Sequence, residues 1–120
     1  MIGFMLSTLL QAPRASLLAL LEAYATDFEW YCFCLACGHS PGRSQETLQA
    51  LYQAQARWRG RRMGELYPLV CAHWDAVNLA QQLAATGPEP QRRDVQQALR
   101  EAKARHRAAV QQLQAAWQDA

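Results

Sequence analysis

Leu17-Leu18-Ala19-Leu20-Leu21-Glu22-Ala23-Tyr24-Ala25-Thr26-Asp27-Phe28-Glu29-Trp30-Tyr31-Cys32-Phe33-Cys34-Leu35 is the stretch that decides the fold. Leu17, Leu21, Tyr24, Phe28, Tyr31 and Leu35 recur at spacings of 4, 3, 4, 3 and 4, which is the period of one helix face and not the alternation of a strand. Leu18, Leu20, Ala25, Trp30 and Cys32 widen the stripe, predicting a helix over 14–37 that is buried on more than one side. Pro13 stands where a first helical position tolerates it, Gly38 ends the helix, and His39-Ser40-Pro41-Gly42-Arg43 reads as a turn.

Outward from that segment the punctuation marks three more helices. Ser44 suits a cap with Glu46 in the first turn, and Leu48, Leu51, Tyr52 and Trp58 form an inner face before Gly60 and Gly64 interrupt. A restart near Gly64 or Glu65 puts Pro68 in a first turn, where its missing amide has no intrahelical partner. Leu66, Val70, His73 or Trp74, Val77, Ala80 and Ala84 then share a face, broadened by Leu69, Ala76, Leu79 and Leu83. Thr86-Gly87-Pro88-Glu89-Pro90 is the clearest boundary, since Gly87 permits a left-handed cap and two prolines stop the preceding helix. Val95, Leu99, Ala102, His106, Ala109, Leu113 and Ala116 form a heptad seam over a last helix, about 90–118, flanked by Val110 and Trp117. Helices of roughly 36, 24, 33 and 42 Å suit a compact antiparallel bundle of about four helices, with 1–120 as one all-α domain.

Composition agrees with this pattern. Ala, Leu, Gln and Arg supply 63 of 120 residues while Ile, Val and Thr supply nine, so helix formers dominate. A chain of this length buries enough surface to stand without a metal or a disulfide staple. The apolar start, Ile2 to Leu10, has no Lys or Arg before it and so lacks the basic n-region expected of a secretory signal. The region 15–37 is interrupted by Glu22, Asp27 and Glu29, each costing about 2.5–3.5 kcal/mol near a bilayer centre if Asp-like, so no membrane span is expected. These features predict a cytoplasmic protein with reduced cysteines. The net charge of +2 is uneven: residues 1–42 carry −2 and residues 43–120 carry +4, nearly all of the bases being Arg.

The densest chemical cluster is Cys32-Phe33-Cys34-Leu35-Ala36-Cys37-Gly38-His39, joined at a distance by Cys71-Ala72-His73. Cys34, Cys37 and Cys71 with His39 or His73 have the ligand types of a zinc site, and Cys34 with Cys37 could form a redox dithiol. Against both, free Cys is a common small core residue, and this pair falls at a helix C-terminus, where the dipole favours the neutral thiol. The expectation is therefore no metal and no cofactor. Arg57-Trp58-Arg59-Gly60-Arg61-Arg62 sets four cations about an aromatic and a flexible glycine, able to grip phosphate and stack a base. Arg93, Arg100 and Arg107 add a stripe at seven-residue spacing, partly neutralised by Asp94 and Glu101. His106 has no His, Cys or carboxylate partner at i±3 or i±4, which reads as a core or register-setting residue.

Neither a phosphate loop nor a nucleophile or metalloprotease motif occurs, and the acids are too dispersed to pair as acid and base, so no enzyme activity is expected. The favoured reading is a small helical accessory protein that binds another protein or itself, with Ile2, Phe4, Met5, Leu6, Leu9 and Leu10 as the contact segment. The alternative is a nucleic-acid-binding subunit using Arg57, Trp58, Arg59, Arg61, Arg62, Arg93, Arg100 and Arg107. A Cys/His metal or thiol protein is the third reading.

Overall fold

The stripe from Leu17 to Leu35 is enclosed as its spacing predicts. In α1, Ser16–Ala36, Leu17, Leu21, Tyr24, Phe28, Tyr31 and Leu35 are all buried, with Leu20 and Cys32 beside them. The computed structural model describes residues 16–39, 44–59, 63–87 and 89–118. α1 stops at Gly38, whose φ of +85° is the left-handed conformation that favours glycine. There the His39 amide donates to the Cys34 carbonyl at 2.8 Å and the Gly38 amide to the Leu35 carbonyl at 3.0 Å, satisfying two carbonyls that a helix end leaves open.

Three more helices follow: α2, Ser44–Arg59, α3, Tyr67–Ala85, and α4, Glu89–Gln118, with a 3-10 turn at Met63–Glu65 before α3. No strand occurs among the described residues, and the protein is an all-α, compact helical bundle. Ser44 is already helical, and Pro68 occupies the first turn of α3. The α3 terminus departs from the expected glycine cap: Thr86 is extended, and the left-handed conformation is absent from Gly87. Its carbonyls are met otherwise, by the Thr86 amide and Arg92 Nη1 at Leu83 O and by the Thr86 hydroxyl at Gln82 O. A left-handed residue is unnecessary there, and a following proline biases Gly87 toward extended backbone.

Two faces hold at their centres and shift at their edges from their sequence reading. Of the expected α3 face, Leu66, His73, Val77 and Ala80 are buried, with Leu69, Ala72, Ala76 and Leu83 beside them, whereas Val70 is half-buried and Trp74 and Ala84 are exposed. Of the pair left open by spacing, His73 is the core residue. On α4 the seam holds from Leu99 through Ala102, His106 and Ala109 to Leu113, with the flanking Val110 and Trp117 also buried, while Val95 is half-buried and Ala116 is exposed. A helix with 3.6 residues per turn drifts about 20° per heptad from a 3.5-residue repeat, and the face follows.

α3 and α4 form the most extensive pairing. They run antiparallel: Glu65 meets Trp117, Asp75 meets Arg105, and Leu83 meets Arg92. Buried Ala72, Ala76 and Ala80 on α3 and Ala102 and Ala109 on α4 keep both helices slim enough for close approach. α1 packs on both α3 and α4, and α2 is held mainly by α1. The 49 Å long axis is close to the length of α4 alone, about 45 Å for 30 residues.

Candidate functional site

Tyr24 stands on the buried stripe of α1 and carries its only polar atom into the centre of the bundle. Its hydroxyl lies 2.9 Å from His73 Nδ1 on α3 and 2.8 Å from His106 Nε2 on α4. Tyr24, His73 and His106 are 0%, 0% and 1% exposed, so three helices share one enclosed polar junction. Phe28, one turn further along α1, stacks on His106 with ring centroids 3.7 Å apart and tilts against His73 at 5.1 Å. His73 Nε2 is buried with no hydrogen-bond partner among the described residues.

Burial sets the charge state of this junction. It pushes His73 down to about 4. His106 falls to about 3, again chiefly by burial, with His73 and the Arg107 cation adding to the shift. Burial also raises the Tyr24 phenol, and Cys32 adds to that shift. Near neutrality the junction therefore holds two neutral imidazoles and a protonated phenol. Such a site can fix helices in place, and it meets the surface only where His106 lines a shallow cleft between α1 and α4. Cys32, pushed up to about 12 by burial, with Lys103 opposing and Glu29 assisting, stays a thiol.

The surface offers a different arrangement. Because α2 leans on α1, a furrow opens between α2 and α3, made of two adjoining depressions of about 320 and 290 Å³ that share Tyr52 and Val70. Tyr67, Val70 and Trp74 lie along its α3 wall at one-turn steps, and Leu48 and Tyr52 do the same on α2. Leu66 forms a buried floor, and Gln49 adds a polar edge. Tyr52, Tyr67 and Trp74 are large hydrophobics left exposed. A separate exposed pair, Trp30 (61%) and Phe33 (58%), stacks on the outer side of α1 with centroids 5.7 Å apart. Across α1 and α4, Glu29 is shared by Lys103 at 3.3 Å and Arg107 at 3.5 Å beside a shallow cleft lined by Thr26, Gln111 and an edge of His106.

The sequence candidates are placed unevenly. Ile2, Phe4, Met5, Leu6, Leu9 and Leu10 lie outside the described residues, as do Arg61 and Arg62. Arg57, Trp58 and Arg59 fall on the last turn of α2. The Arg stripe lies on the exposed side of α4, but each member has an acceptor within the chain: Glu89 for Arg93, Gln97 for Arg100 and Glu29 for Arg107. The candidate metal ligands are not brought together: Cys34 is half-buried, Cys37, Cys71 and His39 are exposed, and His73 is turned onto Tyr24. Among the described residues no group of three His, Cys, Asp or Glu could hold a metal ion, and no helix is long and apolar enough to cross a membrane.

The furrow is not legible in the spacing, which makes Val70 a core position and leaves His73 and Trp74 equivalent. The junction is not legible either, because the partner of His106 lies on another helix. The available signal was that Tyr24, His73 and His106 each sit mid-stripe on a different helix. No protein-family model, no curated protein and no solved structure matches this chain.

Proposed function

We propose that this chain is a non-enzymatic protein-binding module, an adaptor or regulatory subunit of a larger assembly, that receives an apolar helical segment of a partner between α2 and α3. The observation that carries this reading is that three large exposed aromatics, Tyr52, Tyr67 and Trp74, line one furrow with Val70 between them. Positions 67, 70 and 74 fall at i, i+3 and i+7 on α3 and so form a continuous apolar stripe along the furrow wall, a surface on which a partner helix can lay its own apolar face. Tyr and Trp supply much contact area with a polar tip, the composition of binding hot spots. Burial holds His73 and His106 neutral, and neither lines the furrow, which favours binding over catalysis.

A photo-cross-linking side chain at Tyr52 or Trp74 in the native host should give a discrete protein adduct. The same label at exposed Arg100 should not, and Val70→Glu should abolish the adduct while the helical circular dichroism is retained. The captured protein, purified and added back, should slow amide exchange in α2 and α3. Equal yield from all three positions, or none from the furrow, overturns the reading.

A further inference from the structure

A phenol has one proton to give, so Tyr24 can donate to only one of the two imidazole nitrogens that face it and must accept from the other. The orphaned atom of His73 decides which. If His73 accepted at Nδ1, its proton would sit on Nε2, an enclosed donor with no acceptor. With the proton on Nδ1 the chain is complete, and only a lone pair is left unpaired, the better-tolerated of the two.

We propose that Tyr24, His73 and His106 form an acid-released latch, a chain from His73 Nδ1–H to Tyr24 Oη–H to His106 Nε2 that ties α3 and α4 to α1 only while both imidazoles are neutral. A proton from solvent has two places to go, and each breaks something. On His73 Nε2 it makes a buried N–H without an acceptor. On His106 Nε2 it aims a second donor at the Tyr24 oxygen and leaves the phenol proton without its acceptor.

Among the described residues no carboxylate raises the proton affinity of either imidazole. On α1, Cys32 stays a neutral thiol, Asp27 has an interaction of its own, and Glu29, which lines the same cleft as His106, is already shared by Lys103 and Arg107. On α3, Asp75 is exposed and meets Arg105. On α4, Lys103 and Arg107 are cations, and Arg107 disfavours charge on His106. α2, which packs on α1, contributes Tyr52 as the one titratable group among its described side chains, and that group faces the furrow. The low proton affinity of both histidines accords with this. The α3–α4 pair keeps ties of its own, Trp117 to Glu65 and Arg92 to Leu83, so acid should part it from α1 before it comes apart itself.

The test uses the full chain with ¹⁵N-labelled histidine. At pH 7.5, both His73 and His106 should carry their proton on Nδ1; a proton on Nε2 of either ring overturns the chain direction and with it the latch. Amide exchange, corrected for its intrinsic pH dependence, should then show α1 losing protection below pH 6.5 while α3 and α4 amides remain protected. Two protons coupled to opening make the opening constant rise by up to about 100-fold per pH unit. His73→Gln should bring that slope toward one proton, and Glu29→Gln should leave it unchanged. Loss of protection in all helices together, or a slope that vanishes with Glu29→Gln, overturns the proposal.

Discussion

Phe28 lies flat against His106, ring centroids 3.7 Å apart and planes 18° apart, and the same phenyl meets His73 at a tilt of 41°. One apolar side chain of α1 thus walls off both imidazoles from α3 and α4 and keeps their surroundings dry. Phe28→Ala should cost roughly 3–5 kcal/mol in urea unfolding, as for other large-to-small core changes. It should also bring the His106 titration back up toward its ordinary value, visible by NMR, because the space left admits water. A destabilised variant whose His106 still titrates near 3 would assign the low value to something other than burial.

Tyr24→Phe keeps the ring and removes one oxygen, leaving His73 Nδ1 and His106 Nε2 buried without their partner. Each unpaired buried polar group costs about 1–3 kcal/mol. The urea midpoint should fall accordingly with an unchanged m-value, since the surface exposed on unfolding is the same.

Acid should destabilise the fold well above the usual carboxylate range. Unfolded His binds its proton near pH 6.5, whereas His73 and His106 do so only near 4 and 3. Between those values the unfolded chain carries more protons, so stability is full above pH 6.5 and falls as the pH falls. The slope should approach roughly 1.4 kcal/mol per pH unit for each histidine. Urea midpoints at pH 7.5, 6.0 and 5.0 measure it, and equal midpoints would contradict neutral burial of the pair.

The thiols should divide by burial. Cys37 and Cys71 are exposed, while Cys32 is enclosed and pushed up to about 12. At pH 8 a thiol-specific disulfide reagent should modify Cys37 and Cys71 in the folded protein and reach Cys32 only after denaturation, as read by peptide mass mapping. Prompt labelling of Cys32 would place it outside the core.

Gly38→Ala tests the end of α1. A Cβ there meets nothing within 4 Å, so the cost is the left-handed backbone alone, roughly 1–2 kcal/mol. Gly64 also has open space around a Cβ but no positive φ, and Gly64→Ala should leave the melting temperature unchanged or slightly raised. Equal effects at the two sites would remove φ as the cause.

The helices were legible because their signals are local. The period from Leu17 to Leu35, the stop at Gly38, Pro68 in a first turn and the boundary at 86–90 depend on residues within a turn or two of each other, and spacing and backbone restriction suffice to read them. The same locality marked Cys32 as widening the core stripe of α1, and it is buried there.

What remained unread depends on which faces meet. Spacing could not choose between His73 and Trp74, because a helix stripe is wider than one residue; the choice came from Tyr24, 49 positions away, reaching His73. His106 has no partner on its own helix and finds one 82 positions distant. By itself the sequence determined where helices form, which residues can be apolar neighbours along each, and where the chain turns. Only the tertiary structure decided the rotation of each helix about its axis, and with it the buried polar junction and the open furrow, because that rotation balances contacts from several helices at once and no local pattern encodes the balance.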